Sequence, residues 1–278
     1  MKSNRIGIMQ GRLSPIVNNK IQAFPLETWE NEFAQAKECG FEIIEWVIDM
    51  TDLEKNPLLS KKGRAAINRC IKKYSVEVPS VCCDYFVEFP FHSESLEIRM
   101  QAQGMLIELI RVCPKVGIKF IELPLIGKSG IKSDENAEIV IKLFTDLIPV
   151  LESQDLYLLL ETDLLPEALT NLFKNISSKR IQINYDTGNS AYWGFDPKVE
   201  LLNYGNRIGN IHIKDCTPKD YSVHLGTGNV NFELVFELLK KLNYRGDFIL
   251  QTVRGENHVE LAQSFHQFTN DYVVKYLK

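Results

Sequence analysis

The chain has 278 residues, of which 45% are hydrophobic and 24% are charged, a composition typical of a globular protein with one large core. Its formal net charge of -4 gives no bulk electrostatic drive towards nucleic acid or an anionic membrane. The apolar run after Arg5 is too short for a signal-peptide core or a membrane span, and we expect a cytoplasmic protein with reduced cysteines.

One alternation repeats along the chain, in which a short apolar, β-branched run is followed by a longer amphipathic run. Because each short run is nearly continuous in apolar residues, it is typical of a strand buried on both faces. The predicted strands are Arg5–Met9, Glu42–Val47, Glu77–Cys82, Lys119–Leu123, Leu156–Leu160, Arg180–Tyr185, Arg207–Ile213 and Asp247–Leu250.

The longer runs have helical periodicity and helix-ending signals such as Gly40. The predicted helices are Glu27–Cys39, Leu58–Tyr74, Ser95–Val116, Asp134–Ser153, Leu165–Asn175, Pro197–Gly205, Asn231–Leu242 and His258–Leu277. Repeated βα units indicate either a closed barrel or a doubly wound sheet. The first βα turn reads MQGRLSP and lacks the glycine pattern of a dinucleotide-binding sheet. We therefore predict an α/β fold, a (β/α)8 TIM barrel, with residues 1–278 as one domain.

Polar residues end four consecutive predicted strands, the fifth to the eighth. They are Glu161, Asp186, His212 and Gln251. In a barrel the carboxyl ends of the strands meet on one face, so these side chains should converge there. Oxygen and imidazole ligands suit a divalent ion such as Mn2+, Co2+, Mg2+ or Zn2+. Any one of them alone is as easily a rim residue, a helix cap or a satisfied core histidine, but the four together favour a metal site.

Other residues near the strand ends are candidates for contact with a substrate. The candidates for substrate binding are Gln10, Arg12, Trp46, Asn189, Asp215 and Arg254. Lys214 is a candidate for electrostatic support of the reaction. Arg12 is alternatively an ion-pair partner, and an aromatic residue such as Trp46 is as often core. The segment Gly226-Thr227-Gly228 either presents N–H groups to an anion or only turns the chain into the next helix.

Several stretches of the sequence resemble the xylose isomerase-like TIM barrels. This superfamily contains sugar-phosphate isomerases and epimerases, ketose 3-epimerases, hydroxypyruvate isomerase and endonuclease IV. The stretches are IGIMQGRLSP, GFEIIEW, INYDTGNS, IHIKD with HLGTGNVNF, and NYRGDFILQTVRG. In the ketose epimerases of this superfamily, Glu, Asp, His and Glu from strands five to eight hold one metal ion. That pattern implies Glu161, Asp186 and His212 here, whereas Gln251 departs from it. The two glutamates are also the acid/base pair of those enzymes, and an amide cannot carry a proton.

The resemblance implies a metal-dependent isomerase or epimerase that acts on a small sugar or sugar phosphate through an enediolate, with Glu161 as the base. Because one base suffices for proton transfer on one face, Gln251 favours isomerisation, with epimerisation and dehydration left open. The alternative from another class is a catalytically weakened barrel that binds a sugar derivative as a sensor or partner protein.

A nuclease like endonuclease IV is a minor alternative, because the chain has only five histidines for the multi-metal site of that family. We expect no nucleic-acid or membrane partner. The sequence leaves a homodimer open.

Overall fold

The computed structural model describes residues 4–278, in which eight parallel strands form a closed barrel. The strands are β1 Ile6–Met9, β2 Ile43–Ile48, β3 Glu77–Cys83, β4 Phe120–Leu125, β5 Tyr157–Thr162, β6 Ile181–Asp186, β7 Ile208–Ile213 and β8 Asp247–Leu250. Each strand pairs with its neighbour in sequence, and β8 closes the ring on β1. The prediction of a (β/α)8 TIM barrel is confirmed, and every predicted strand overlaps an observed one.

Helices cover the outside of the barrel. They are α1 Trp29–Glu38, α2 Lys61–Tyr74, α3 Tyr85–Glu88, α4 Leu96–Val112, α5 Asp134–Gln154, α6 Pro166–Lys174, α7 Thr187–Tyr192, α8 Pro197–Tyr204, α9 Phe232–Lys241 and α10 His258–Leu277. The short helices α3 and α7 were not predicted. Each follows a strand closely, with Asp84 and Asp186 as the N-cap residues. Within residues 4–278, no helix is both long and apolar enough to cross a bilayer.

The apolar core has two parts. The larger part packs the outer faces of the strands against the helices, with Trp46 and Phe33 among its fully buried side chains. The smaller part fills the inside of the barrel and consists of Met9, Ile43, Val47, Cys82 and Ile249. All six cysteines are buried free thiols, in agreement with the prediction of reduced cysteines, and they pack as small hydrophobic residues.

Polar side chains also face the inside of the barrel. They are Glu45, Ser80, Glu122, Asn184, Asn210 and His212, and each is buried. They bind one another across the barrel. Ser80 Oγ donates to Glu45 Oε2 at 2.7 Å, and Asn210 Nδ2 donates to Asn184 Oδ1 at 3.1 Å. Burial of so many polar groups is costly unless they are paired, so the inside of the barrel is built around this network as well as around apolar packing.

Candidate metal centre and active site

Three of the predicted ligands meet where β5, β6 and β7 end. Asp186 and His212 lie directly opposite each other in the ladder between β6 and β7. One ligand atom from each of Glu161, Asp186 and His212 lies within 4.8 Å of the other two, and all three residues are buried. Two carboxylates and an imidazole at this spacing form a donor set that fits a divalent ion.

Two atoms of this set have no hydrogen-bond partner among residues 4–278, namely His212 Nδ1 and Asp186 Oδ2. A buried polar atom is normally paired, because leaving it unpaired costs about 1–3 kcal/mol. The other oxygen of Asp186, Oδ1, accepts from the backbone N–H of Asn189 at 2.8 Å, where it caps α7. His212 Nδ1 lies 3.7 Å from Glu161 Oε2. His212 and Asp186 thus each keep an atom free of hydrogen bonds within the ligand cluster, which fits a bound cation.

The second nitrogen of His212 contacts two buried glutamates that were not among the predicted site residues. Nε2 lies 2.7 Å from Glu45 Oε1 and 3.0 Å from Glu122 Oε2. Burial lowers the pKa of His212, but these carboxylates outweigh it and hold that pKa well above its usual range. With Nε2–H donated to Glu45, Nδ1 is the nitrogen that a cation can bind once it displaces the proton there. Each glutamate interrupts an apolar strand, as His212 does. This interruption is the sequence pattern that could have identified both glutamates as site residues.

Glu161 is held by two amide donors. Asn184 Nδ2 donates to Oε2 at 3.1 Å, and Asn189 Nδ2 donates to Oε1. Burial, together with the neighbouring carboxylates of Glu122 and Asp186, raises the pKa of Glu161 well above its usual range. A carboxyl group with a raised pKa, fixed in orientation at a pocket wall, suits proton transfer.

Lys214 is buried beside this set. Its Nζ donates to Asn189 Oδ1, lies 3.4 Å from Asp186 Oδ2 and lies 3.8 Å from the ring centroid of Tyr221. Asn189 therefore links Lys214 to Glu161 and is itself buried. The structure brings Lys214 to the centre, where its charge offsets the two carboxylates, and places Asn189 as the connection between them.

A pocket of about 160 Å³ opens next to these residues. Its lining consists of Arg12, Ile21, Gln22, Cys82, Asp84, Pro124, Ile126, Glu161, Lys214, Tyr221, Ser222 and Gln251. Four predicted site residues thus share it, namely Arg12, Glu161, Lys214 and Gln251. Gln251 Oε1 is buried and has no hydrogen-bond partner within the described part of the chain. Convergent polar groups around a small cavity suit a small polar molecule.

Trp46 lies away from this pocket, contrary to its predicted contact with a substrate. It is fully buried on the outer face of β2, where its ring centroid lies 5.3 Å from that of Phe24 and 5.4 Å from that of Trp29. Its Nε1 donates to Asn56 Oδ1 at 2.9 Å. The residue before it, Glu45, faces inward, and successive side chains of a strand point to opposite faces. Trp46 is therefore directed towards the helices.

Asp215 is also placed differently from its predicted role. Its carboxylate accepts backbone N–H groups of Cys216 and Val230 on Oδ1 and of Gly226 and Gly228 on Oδ2, at 2.9–3.1 Å. These four bonds use the acceptor capacity of a carboxylate. The anion that the Gly226–Gly228 turn binds is therefore Asp215 itself. A Cβ at position 228 would lie 2.3 Å from Asp215 Oδ1, which explains glycine there.

The remaining predicted residues surround the first βα loop. Gln10 is buried, and its Oε1 accepts from the backbone N–H of Val47 at 3.3 Å. Arg12 lines the pocket and donates to the carbonyl oxygens of Thr252 and Ile21 at 2.8 and 3.0 Å. Arg254 Nη2 donates to the carbonyl oxygen of Ser14 at 2.7 Å. Both arginines hold this loop, and only Arg12 also reaches the pocket lining.

Comparison with known proteins agrees with this fold. The profile of the xylose isomerase-like TIM barrels matches residues 33–269. The putative L-ribulose-5-phosphate 3-epimerase SgbU of Haemophilus influenzae is 28% identical over 95% of this chain and 93% of that protein. The L-ribulose-5-phosphate 3-epimerase UlaE of Salmonella heidelberg is 29% identical over 81% of this chain and 82% of its own. The crystal structure of the IOLI protein with a bound zinc atom superposes with a TM-score of 0.77 at 15% identity, covering 98% of this chain and 99% of that one.

Proposed function

The chain belongs to the xylose isomerase-like TIM barrel family, and we propose that it is a divalent-metal-dependent isomerase that epimerises a small ketose or ketose phosphate. The observation that carries the proposal is that two buried ligand atoms, His212 Nδ1 and Asp186 Oδ2, have no hydrogen-bond partner in the described chain and lie beside Glu161, which lines a small polar pocket. Two relatives that are named 3-epimerases of L-ribulose 5-phosphate support the substrate class. They favour epimerisation over the isomerisation that Gln251 suggested from the sequence.

The position of each residue indicates its role in the proposed reaction. Glu161, Asp186 and His212 would hold the ion, with the side-chain carbonyl of Gln251 as a fourth ligand. When bound there, a Mn2+, Co2+, Mg2+ or Zn2+ ion supplies Lewis acidity, which makes a C–H bond beside a sugar carbonyl more acidic.

Glu161 accepts the proton from that carbon, and the amides of Asn184 and Asn189 keep its carboxylate aimed. The charge of Lys214 offsets the negative charge that gathers as the enediolate forms.

Solvent exchange tests this proposal. We expect the protein with Mn2+ in D2O to place deuterium on C3 of L-ribulose 5-phosphate, measured by NMR, and to form the C3 epimer. The protein treated with a chelator is the matched control and should do neither. Free L-ribulose, assayed in parallel, shows whether the phosphate is needed. A protein that binds Mn2+ and either sugar but exchanges no deuterium would contradict the proposal and favour a barrel that only binds its sugar.

A further inference from the structure

Inversion of a carbon centre needs proton removal on one face and proton delivery on the other. Gln251 cannot deliver a proton, because an amide does not titrate in water. The second group must therefore come from another wall of the pocket. Among the described residues that line the pocket, Glu161 and Asp84 are the two that have a carboxyl side chain.

Asp84 is placed to reach a bound substrate. It follows β3 directly and lines the pocket. Its Oδ2 accepts from Gln22 Nε2 at 2.7 Å, and its Oδ1 lies 3.6 Å from Cys82 Sγ. A thiol is a weak donor, so Oδ1 keeps most of its hydrogen-bonding capacity for a ligand.

The orientation of Asp84 is fixed from the first βα loop. Arg12 Nη2 donates to Gln22 Oε1 at 3.2 Å, and Arg12 Nε is anchored on the carbonyl oxygen of Thr252 at 2.8 Å. Since an arginine only donates, the oxygen of the Gln22 amide must face Arg12 and its NH2 group must face Asp84. This chain of contacts, from the segment after β8 to the residue after β3, holds the carboxyl group in place, as proton transfer requires.

Asp84 and Glu161 approach the cavity from different walls. The strands β3 and β5 that carry them are separated by β4, whose Pro124 also lines the pocket. Burial raises the pKa of Asp84 to about 6, an effect that the Gln22 hydrogen bond opposes and the nearby Glu161 carboxylate reinforces. Both protonation states are thus accessible near neutral pH, which suits a group that gives and takes protons.

We propose that Asp84 is the second proton-transfer residue of this active site and delivers the proton that Gln251 cannot deliver. The inference rests on the proposed epimerase function. Glu161 removes the proton from C3, and the C–H electron pair forms the enediolate double bond as the carbonyl π pair moves to oxygen. The Asp84 carboxyl then gives its proton to C3 on the other face, and the carbonyl re-forms. The reverse direction exchanges the two roles, and no oxidant or reductant is needed.

Asp84→Asn tests the inference on the whole protein with Mn2+. Epimerisation should fall on the order of 100- to 10,000-fold, the usual loss for one proton-transfer group. Deuterium exchange at C3, measured separately with L-ribulose 5-phosphate and its C3 epimer in D2O, should persist for the epimer that Glu161 deprotonates and disappear for the other. Glu88→Gln is the matched control, because Glu88 lies on the helix after Asp84 and binds Lys128 at the surface. It should leave both reactions unchanged.

Three results would overturn the role of Asp84 while leaving the proposed function intact. Asp84→Asn epimerising at the wild-type rate is one, and loss of exchange with both epimers despite normal Mn2+ binding is another. Asp84→Ala supplies a further check that does not depend on the first variant folding well. Added formate should restore part of its epimerisation, and a folded variant that formate fails to rescue is the third overturning result. Absence of exchange in the wild-type protein would instead contradict the epimerase proposal.

Discussion

The inner and outer faces of the barrel strands carry different chemistry, and neighbouring residues of β2 show this most clearly. Glu45 faces inward and contacts His212 Nε2 at 2.7 Å. Trp46, the next residue, faces outward and packs against Phe24 and Trp29 under α1. Both side chains are fully buried. Burial alone therefore does not distinguish a residue of the site from a residue of the core. The face of the strand decides it, because alternate side chains enter the barrel.

The largest effect is expected at the inner face where the strands end. His212→Ala removes the imidazole ligand that lies beside Glu161 and Asp186. It should abolish binding of Mn2+, measured by calorimetry. Asp186→Ala should do the same, since it removes the other ligand atom that lacks a hydrogen bond. His258→Ala is the matched control, because His258 begins the outer helix α10 and should leave ion binding unchanged. Normal binding by His212→Ala would place the ion elsewhere.

A smaller effect is expected on the far side of His212. Glu45→Gln weakens the acceptor that fixes the imidazole tautomer, so Mn2+ affinity should fall about 10- to 100-fold, the usual cost of altering a residue that orients a metal ligand. Glu32→Gln is the control. Glu32 is also a buried glutamate, but it accepts the backbone N–H groups of Gly11 and Leu13 instead of contacting a ligand. It should change thermal stability and leave ion affinity unchanged. An equal loss of Mn2+ affinity in both variants would mean that Glu45 contributes only to packing.

The sequence predicted the barrel well because its signals are local. Each strand is an apolar run of its own, and each observed strand lies close to its predicted bounds. The convergence of Glu161, Asp186 and His212 was also predictable, because strand ends share one face. What periodicity could not supply was the direction of each side chain in a run that is apolar on both faces. Trp46 was therefore assigned to the site, whereas Glu45 and Glu122 were not.

The contacts between loops are a second feature that could not be predicted from the sequence. Asp215 resembles a site residue by its position after β7, but its partners are N–H groups as many as fifteen residues ahead in the chain. Asp84 lacked any local signal beyond following a strand, because its partner Gln22 lies in another loop. Contacts between loops depend on the closed barrel that brings them together, and no pattern within either segment records them.

The smallest effect on activity is expected at the outer face, with Trp46→Phe. This change removes the hydrogen bond from Nε1 to Asn56 Oδ1, but that oxygen still accepts from the backbone N–H of Leu58 at 3.2 Å. The lost bond and the smaller ring should lower the free energy of unfolding by about 1–3 kcal/mol. Because the ring points to the helices, kcat/KM for epimerisation and the Mn2+ affinity should stay within about twofold of wild type. Denaturant melts and steady-state kinetics measure the two quantities on one preparation. A fall in kcat/KM of more than tenfold without loss of stability would instead mean that Trp46 reaches the substrate, and the assignment of function to the inner face alone would be wrong.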